Sequence, residues 1–337
     1  MTASHAATNM GGRRRALARI AGAAAVVAAG GVARAQAAFP NKPVKIVVAF
    51  TAGGPTDLVA RLLAGKLAAK WGQPVLVENK PGAAGLLGSE LVVRAKPDGY
   101  TLLMATAGNL TVNQHLYRNM RFDPVRDFTP IGLAAGVDFV LVTQASSPLN
   151  TVRELIAAAR ANPESISTAT SGNGGAPHLA AALFEDAAKV DLRLVPYRGT
   201  ADAVNAVLAG HTHLDFDAAS QVLPHIRAGR LKALAVLGQR RSPLLPDVPT
   251  MAEAGLPTYG FSNWFGLVGP AALPNEVRAR LENDLGEVLQ DPELQARYDA
   301  MGLHPPALGS SAQFAALIRR DAAKWAATVK AARIVAE

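Results

Sequence analysis

The sequence contains no cysteine. Disulfides, thiolate metal sites and cysteine nucleophiles are therefore excluded, and the chain has to be held together by apolar burial. Aromatic residues make up only 5% of the chain, and no dense stripe of lysine and arginine accompanies them. That combination excludes nucleic acid as a partner, because few rings are present to stack bases. There is no G-x-S-x-G nucleophile elbow and no H-E-x-x-H pair, so no catalytic residue is assigned. His211 and His213 could start a metal site, but no third ligand stands at a sensible spacing; neither a metal nor a cofactor is expected. No internal repeat is present. No run reaches the roughly 20 apolar residues needed to span a bilayer as a helix.

The amino terminus is rich in one sign of charge. The first 38 residues hold five arginines (Arg13, Arg14, Arg15, Arg19 and Arg34) and no acid. An apolar run, Ile20 to Ala33, follows the first cluster. Small-x-small patterns then occur at Ala33-Arg34-Ala35 and Ala35-Gln36-Ala37. This is the grammar of a secretory signal peptide over residues 1–37, cleaved after Ala35 or Ala37, and its paired arginines also permit a twin-arginine route. A disordered basic arm is the alternative. The whole chain has 34 Lys+Arg against 26 Asp+Glu, a net +8. Without the leader, 29 basic residues face the same 26 acids, a net +3, so the high pI is mostly an export signal. The expected location is the periplasm.

About 300 residues remain, a size at which chains usually divide in two. Pro43–Phe50 reads as a buried strand and Thr56–Lys70 as a helix, with Leu58, Leu62, Leu63 and Leu67 at helical spacing. Strand 74–78, helix 85–95 and strand 100–106 continue the series. A second series runs from helix 152–161 to strand 231–237, with strands at 167–170, 192–196 and 213–216. Such alternation implies parallel sheets covered by helices. Residues 240–260 carry four prolines and two glycines and read as irregular. Three helices, 275–290, 292–301 and 311–332, end the chain. The expected fold is α/β, with two α/β lobes and a ligand cleft between them. Lobe 1 is discontinuous, 38–140 plus 261–337, and lobe 2 is 141–260.

Two loops share one pattern. In Phe50-Thr51-Ala52-Gly53-Gly54-Pro55-Thr56-Asp57 a buried strand ends, glycines turn, and a capped helix begins. In Ser171-Gly172-Asn173-Gly174-Gly175-Ala176-Pro177-His178 the same happens in the second series. A helix start carries unpaired N–H groups and the positive dipole end, so each loop is either an anion site or merely a tight turn. Two of them suggest two lobes facing one cleft. Ala107-Gly108-Asn109, also after a strand, would let a ligand lie against backbone. His178 is a cap-region packing residue or a pocket donor. Asp215 and Asp217 flank Phe216 at a strand end, where a carboxylate faces a cleft or stays solvated; Asp215 is the candidate. The run Gly82-Ala83-Ala84-Gly85-Leu86-Leu87-Gly88 is not a dinucleotide fingerprint.

Phe50 to Asp57 with Ala60-Arg61, Val77 to Gly85, Pro97-Asp98-Gly99-Tyr100-Thr101-Leu102-Leu103, His178-Leu179-Ala180, Val195-Pro196-Tyr197-Arg198-Gly199 and Pro246-Asp247-Val248-Pro249-Thr250 occur in the order of a known family. From about Phe39 onward the chain resembles the substrate-binding receptors of tripartite tricarboxylate transporters, the Bug receptors. The resemblance implies a fold like the type II periplasmic-binding proteins, a two-lobed receptor that closes on a small organic acid or amino acid and delivers it to integral membrane transporter subunits. It implies that Phe50 to Gly54 with Asp57 close one side of the cleft, and that the helix start near Ser171–His178 grips a carboxylate. At Ala176-Pro177, where many members carry small hydroxyl residues, the chain departs from the pattern and loses donors. A monomer is expected. A sensor accessory to a membrane kinase and an exported two-lobed enzyme are the alternatives. The leader predicts a mature chain starting at Gln36 or Ala38; intact mass of the periplasmic species checks this, and a species retaining Arg13–Arg19 there would overturn it.

Overall fold

Val44, Ile46, Val47 and Val48 are fully buried, as an unbroken apolar run in a doubly covered strand should be. The computed structural model describes residues 39–261, 263–306 and 310–331, so the leader read at 1–37 lies outside the described residues. Strand β1 (Val44–Val48) leads to α1 (Pro55–Trp71), β2 (Val75–Asn79), α2 (Leu86–Val93) and β3 (Thr101–Thr106). A π-helical turn, Gly108–Val112, runs into the short α3 (Asn113–Leu116). Strands β4 (Phe128–Val137) and β5 (Phe139–Gln144) follow, separated only by Asp138. Then come α4 (Val152–Ala161), β6 (Ser167–Thr170), α5 (Ala176–Ala188), β7 (Arg193–Pro196), α6 (Thr200–Leu208), β8 (Leu214–Ala218), α7 (Ala219–Arg227) and β9 (Leu231–Val236). The last elements are β10 (Asn263–Pro270), α8 (Asn275–Val288), α9 (Pro292–Ala300), β11 (Leu303–His304) and α10 (Ser311–Ala331).

The strands form two sheets. One has the order β11-β4-β10-β3-β1-β2, the other β7-β6-β8-β5-β9. The chain changes sheet at Asp138, and changes back between β9 and β10. At the first crossing, His304 Nε2 lies 2.7 Å from Asp138 Oδ1, tying the crossover to the returning tail.

The sheets are not purely parallel, as the alternating pattern implied. β10 runs antiparallel to β3 and β4, and β5 antiparallel to β8 and β9. The cause is the double crossing: the strands that carry the chain between sheets enter against the grain of the strand–helix units. Neither β4–β5 nor β10 stood out in the sequence, since glycines and Asp138 interrupt their apolar runs. Elsewhere strand β8 extends past the expected Phe216 to Ala218, which puts Asp217 inside the sheet.

Each lobe has its own core. In the first, α10 closes over the sheet: Trp264 and Phe314 meet edge to face at 5.2 Å between ring centroids. Gly266 on β10 makes room for this, because a Cβ there would stand 2.1 Å from Phe314 Cζ. In the second, Val140, Val142 and Ala169 pack against Ala203, Val204, Val207 and Val222 of α6 and α7. The other face of β8 is covered by α5, where Phe184 meets Phe216 at 5.5 Å.

Two glycines of opposite surroundings give a paired prediction. Gly266→Ala drives a methyl into the Phe314 ring and should cost about 1–3 kcal/mol of stability or more. Gly65→Ala, on the exposed side of α1 with no atom within 4 Å of the new Cβ, should gain about 0.5–1 kcal/mol. Urea unfolding of both variants against wild type checks the two signs.

Candidate functional site

At the end of β1 the chain turns through Gly53, whose φ of +80° is easy only for glycine, into α1, capped by the extended Gly54 with Pro55 at its first position. Asp57 locks this turn. Its Oδ2 accepts from the Gly53 N–H at 2.9 Å and from Arg61 Nε at 2.8 Å, and its Oδ1 accepts from Asn79 Nδ2 at 2.9 Å. Burial works to raise the Asp57 carboxyl, but the hydrogen bonds from Arg61, Gly53 and Asn79 outweigh it and hold the acid below its usual range. Asp57 thus spends itself on the loop.

The second loop is built likewise. Gly172 and Gly174 take φ of +104° and +78°, and Gly175 caps α5. The Gly174 N–H donates to His178 Nδ1 at 2.8 Å, and the Gly175 N–H to the Gly172 carbonyl at 3.2 Å. Burial pushes the His178 pKa down, in keeping with a neutral ring that accepts at Nδ1. Asn109 braces the β3 turn: its Oδ1 accepts from the Thr106 N–H at 2.7 Å and its Nδ2 donates to Ser89 Oγ at 3.1 Å.

A third turn of the same kind joins β7 to α6. Tyr197 N–H donates to the Thr170 carbonyl at 2.8 Å, linking this turn to the second loop, and Gly199 caps α6 in an extended conformation. Its signal, Tyr197-Arg198-Gly199-Thr200 after a strand, repeats the strand–glycine–helix pattern of the other two, but holds a single glycine.

These turns meet across the lobes. A Cβ on Gly199 would stand 2.5 Å from Thr51 Oγ1; Tyr117 Oη donates to the Asn173 carbonyl at 3.1 Å and Gln221 Nε2 to the Gly53 carbonyl at 3.3 Å. The lobes are closed on one another, around a cavity of about 430 Å³.

Nine of the expected site residues line it: Phe50, Thr51, Gly54, Gly108, Ser171, Gly172, Asn173, Gly174 and Gly175. Seven do not: Ala52, Gly53, Asp57, Ala107, Asn109, His178 and Asp215 stand outside the wall. For Asp57, Asn109 and His178 the reason is that their polar atoms hold the loops in shape. The Gly53 and Gly174 N–H groups, expected to face a ligand, are consumed by Asp57 and His178. Asp215 lies too deep along β8; Asp217, one step nearer the strand end on the same face, reaches the wall instead. Both acids are buried, at 0% and 1% exposure, and neither is a solvated strand-end carboxylate.

The sequence reading missed Ala84 and Gly85, the Tyr197–Thr200 turn, and residues of the crossover strands, Phe139, Asn263 and Phe265. Gly85 and Gly88 also explain the glycines spaced by three: a Cβ on Gly85 would press on Phe50 and one on Gly88 would reach Ala49 at 2.8 Å. Five aromatic rings, Phe50, Tyr117, Phe139, Tyr197 and Phe265, share the wall. Among the described residues its charged side chains are Arg198, which has no carboxylate partner, and Asp217. The described residues hold no cluster of three metal-ligating side chains, and no helix long and apolar enough to cross a membrane.

Two mixed α/β lobes closed around one cavity define the class of two-lobed solute-binding receptors. The chain belongs to the tripartite tricarboxylate transporter family receptors, whose family model matches residues 59–334. It is 33% identical over 307 residues to the protein BugT of Bordetella pertussis, covering 90% of this chain and 94% of BugT. Among solved structures it resembles Rhodopseudomonas palustris Rpa4515 with adipate (33% identity, TM-score 0.85, 88% of this chain and 99% of that one). It also resembles the periplasmic binding protein BugD (36%, 0.84, 89% and 100%) and R. palustris MatC with bound malate (31%, 0.82, 86% and 100%).

The Gly199–Thr51 contact gives a test of closure. At φ 178° position 199 accepts any side chain without backbone strain, so Gly199→Leu should fold normally yet hold the lobes apart. Ligand affinity should fall at least about tenfold, each tenfold being roughly 1.4 kcal/mol. Thr51→Ala in the same chain should restore part of it. Small-angle scattering checks the open form, and an unchanged affinity in Gly199→Leu would show that this contact does not govern closure.

Proposed function

We propose that this chain is a periplasmic receptor that binds a small carboxylate-bearing solute between its lobes, releases it unchanged, and delivers it to the membrane subunits of a tripartite tricarboxylate-type transporter. The observation that carries this reading is the meeting of three helix N-termini, those of α1, α5 and α6, on one cavity between the lobes. Helix starts present N–H donors and a positive dipole end, and in a closed, water-poor space such groups favour an anion. Arg198, at the cavity edge without a protein carboxylate, adds the one full positive charge. Adipate in Rpa4515 and malate in MatC, both carboxylates, support the same class of ligand here.

The receptor family supports binding without turnover, and the wall offers no activated serine. No wall serine pairs with a histidine, since His178 is occupied by the Gly174 N–H and lies outside the cavity. The leader at residues 1–37 would bring the chain to the periplasm, and the receptor would work there as a monomer.

A screen of small organic acids by thermal melting should find a stabilising compound, recovered unchanged after long incubation; conversion to a product would favour an enzyme. Replacing the carboxylate of that compound by a primary amide removes the charge and opposes donor to donor. Loss of one or two charge-assisted bonds should weaken binding roughly 10- to 10⁴-fold by calorimetry. Equal affinity of acid and amide would overturn the carboxylate reading.

A further inference from the structure

The Asp215–Asp217 pair is not explained by an anion site; a carboxylate ligand would be better served without it. The two side chains share the β8 face opposite Phe216, level with Val142 and Val140 of β5. Around them are Ala169, Ala203, Val204 and Val222, all apolar. On the elements packed against β8, Asp202 is exposed on α6, His225 and Arg227 lie on the outer part of α7, and His178 and Glu185 belong to α5 across the sheet. Burial raises both carboxyls, and the charge of Asp217 raises Asp215 further.

Two adjacent carboxyls in such surroundings hold one proton between them, because two anions at that spacing cannot both persist in a low dielectric. Burial pushes Asp217 up to about 7, so the pair carries at most a single negative charge and holds it fully only above neutral pH. Asp217 Oδ1 accepts from the Ala218 N–H at 2.6 Å. Asp217 Oδ2 has the proton shared with Asp215 and no other donor among the described residues, and Asp215 has beside that proton only the N–H of Phe216. Asp217 is the member that forms part of the cavity wall. A buried carboxylate with one backbone N–H and one shared proton still has lone pairs free, and the ligand is what can donate to them.

The sheet register says where that donor sits. Asp215 pairs with Ala169 on the parallel strand β6, so Asp217 stands level with Ser171, the first residue of the loop that starts α5. Neighbouring strands are about 4.8 Å apart. The donor must therefore lie close to the carboxylate held by that loop, within a bond or two of it.

We propose, resting on the carboxylate reading above, that the Asp215–Asp217 pair is a specificity element: it selects ligands bearing an O–H or N–H donor beside their carboxylate, and rejects a second carboxylate at that place. The five rings of the wall suit a flat apolar body, so the natural probes are phenylacetate and its derivatives with hydroxyl (mandelate), ammonium (phenylglycine) or carboxylate (phenylmalonate) on the same carbon. Calorimetry on the purified protein at about pH 8, above the titration of Asp217, should show mandelate or phenylglycine binding about 10- to 100-fold more tightly than phenylacetate, the scale of one charge-assisted hydrogen bond. Phenylmalonate should bind more weakly than phenylacetate. Preference for mandelate would assign a hydroxy acid, and preference for phenylglycine an amino acid. In Asp217→Asn both the donor preference and the penalty on phenylmalonate should shrink, with folding checked by melting. In Asp215→Asn, which leaves Asp217 as the sole acid, the donor preference should persist. Equal affinity for phenylacetate, mandelate and phenylglycine in wild type, a preference retained in Asp217→Asn, or binding of none of the four at millimolar concentration would overturn the proposal. Failure of the carboxylate reading shows separately, as mandelamide binding as well as mandelate.

Discussion

A backbone N–H withdrawn from water needs an acceptor, and the closed cavity multiplies that demand at every turn from strand to helix. Most of what surrounds the cavity can be read as an answer to it. Asp57 takes the Gly53 N–H, His178 the Gly174 N–H, and Asn109 the Thr106 N–H. Each is a buried polar side chain placed behind a turn, and none lines the cavity. The donors left over belong to the first helical residues, which have no earlier turn to donate to. What faces the ligand is thereby set by what the loops do not use internally.

This arrangement explains why the wall carries so little charge. A receptor that binds with helix starts can hold an anion without a cluster of cations, and closure then avoids burying several unmatched charges. Arg198 stays exposed at the edge, where its hydration is largely kept. Among the described residues the buried ionisable group of the wall is Asp217, which with Asp215 carries at most one negative charge. In a site otherwise built for anions it acts against generality: it narrows the range of acids that can enter rather than strengthening the hold on all of them.

Much of the fold was legible because strand–helix units announce themselves by periodicity and by glycines at strand ends. The two loops around Gly53–Gly54 and Gly172–Gly175 were visible for that reason, and so was the division into two series. The crossover strands were not, because pairing antiparallel to distant partners leaves no local trace in residues such as Asn263 or Phe265. Within the loops, sequence showed which residues come together but not which way each faces. Gly53 and Gly54 are adjacent, yet only Gly54 reaches the cavity. Asp215 and Asp217 share one face of β8, and depth along the strand, fixed by a register with β5 and β6, decides between them.

Closure and selectivity are linked through the third turn. Gly199 brings the start of α6 against Thr51 of the other lobe, and α6 covers the face of β8 on which the acid pair lies. In an open form, water reaching the end of β8 would supply further donors to Asp217, at no cost to the protein. Closure expels that water, so the acceptor is left to the ligand. A ligand with a donor in the right place replaces the lost hydrogen bonds and stabilises the closed form; one with a second carboxylate there leaves two anions facing each other and favours the open one. Because a ligand shifts a conformational equilibrium only by its differential affinity for the two states, discrimination at Asp217 is also discrimination in how far each ligand drives the lobes together.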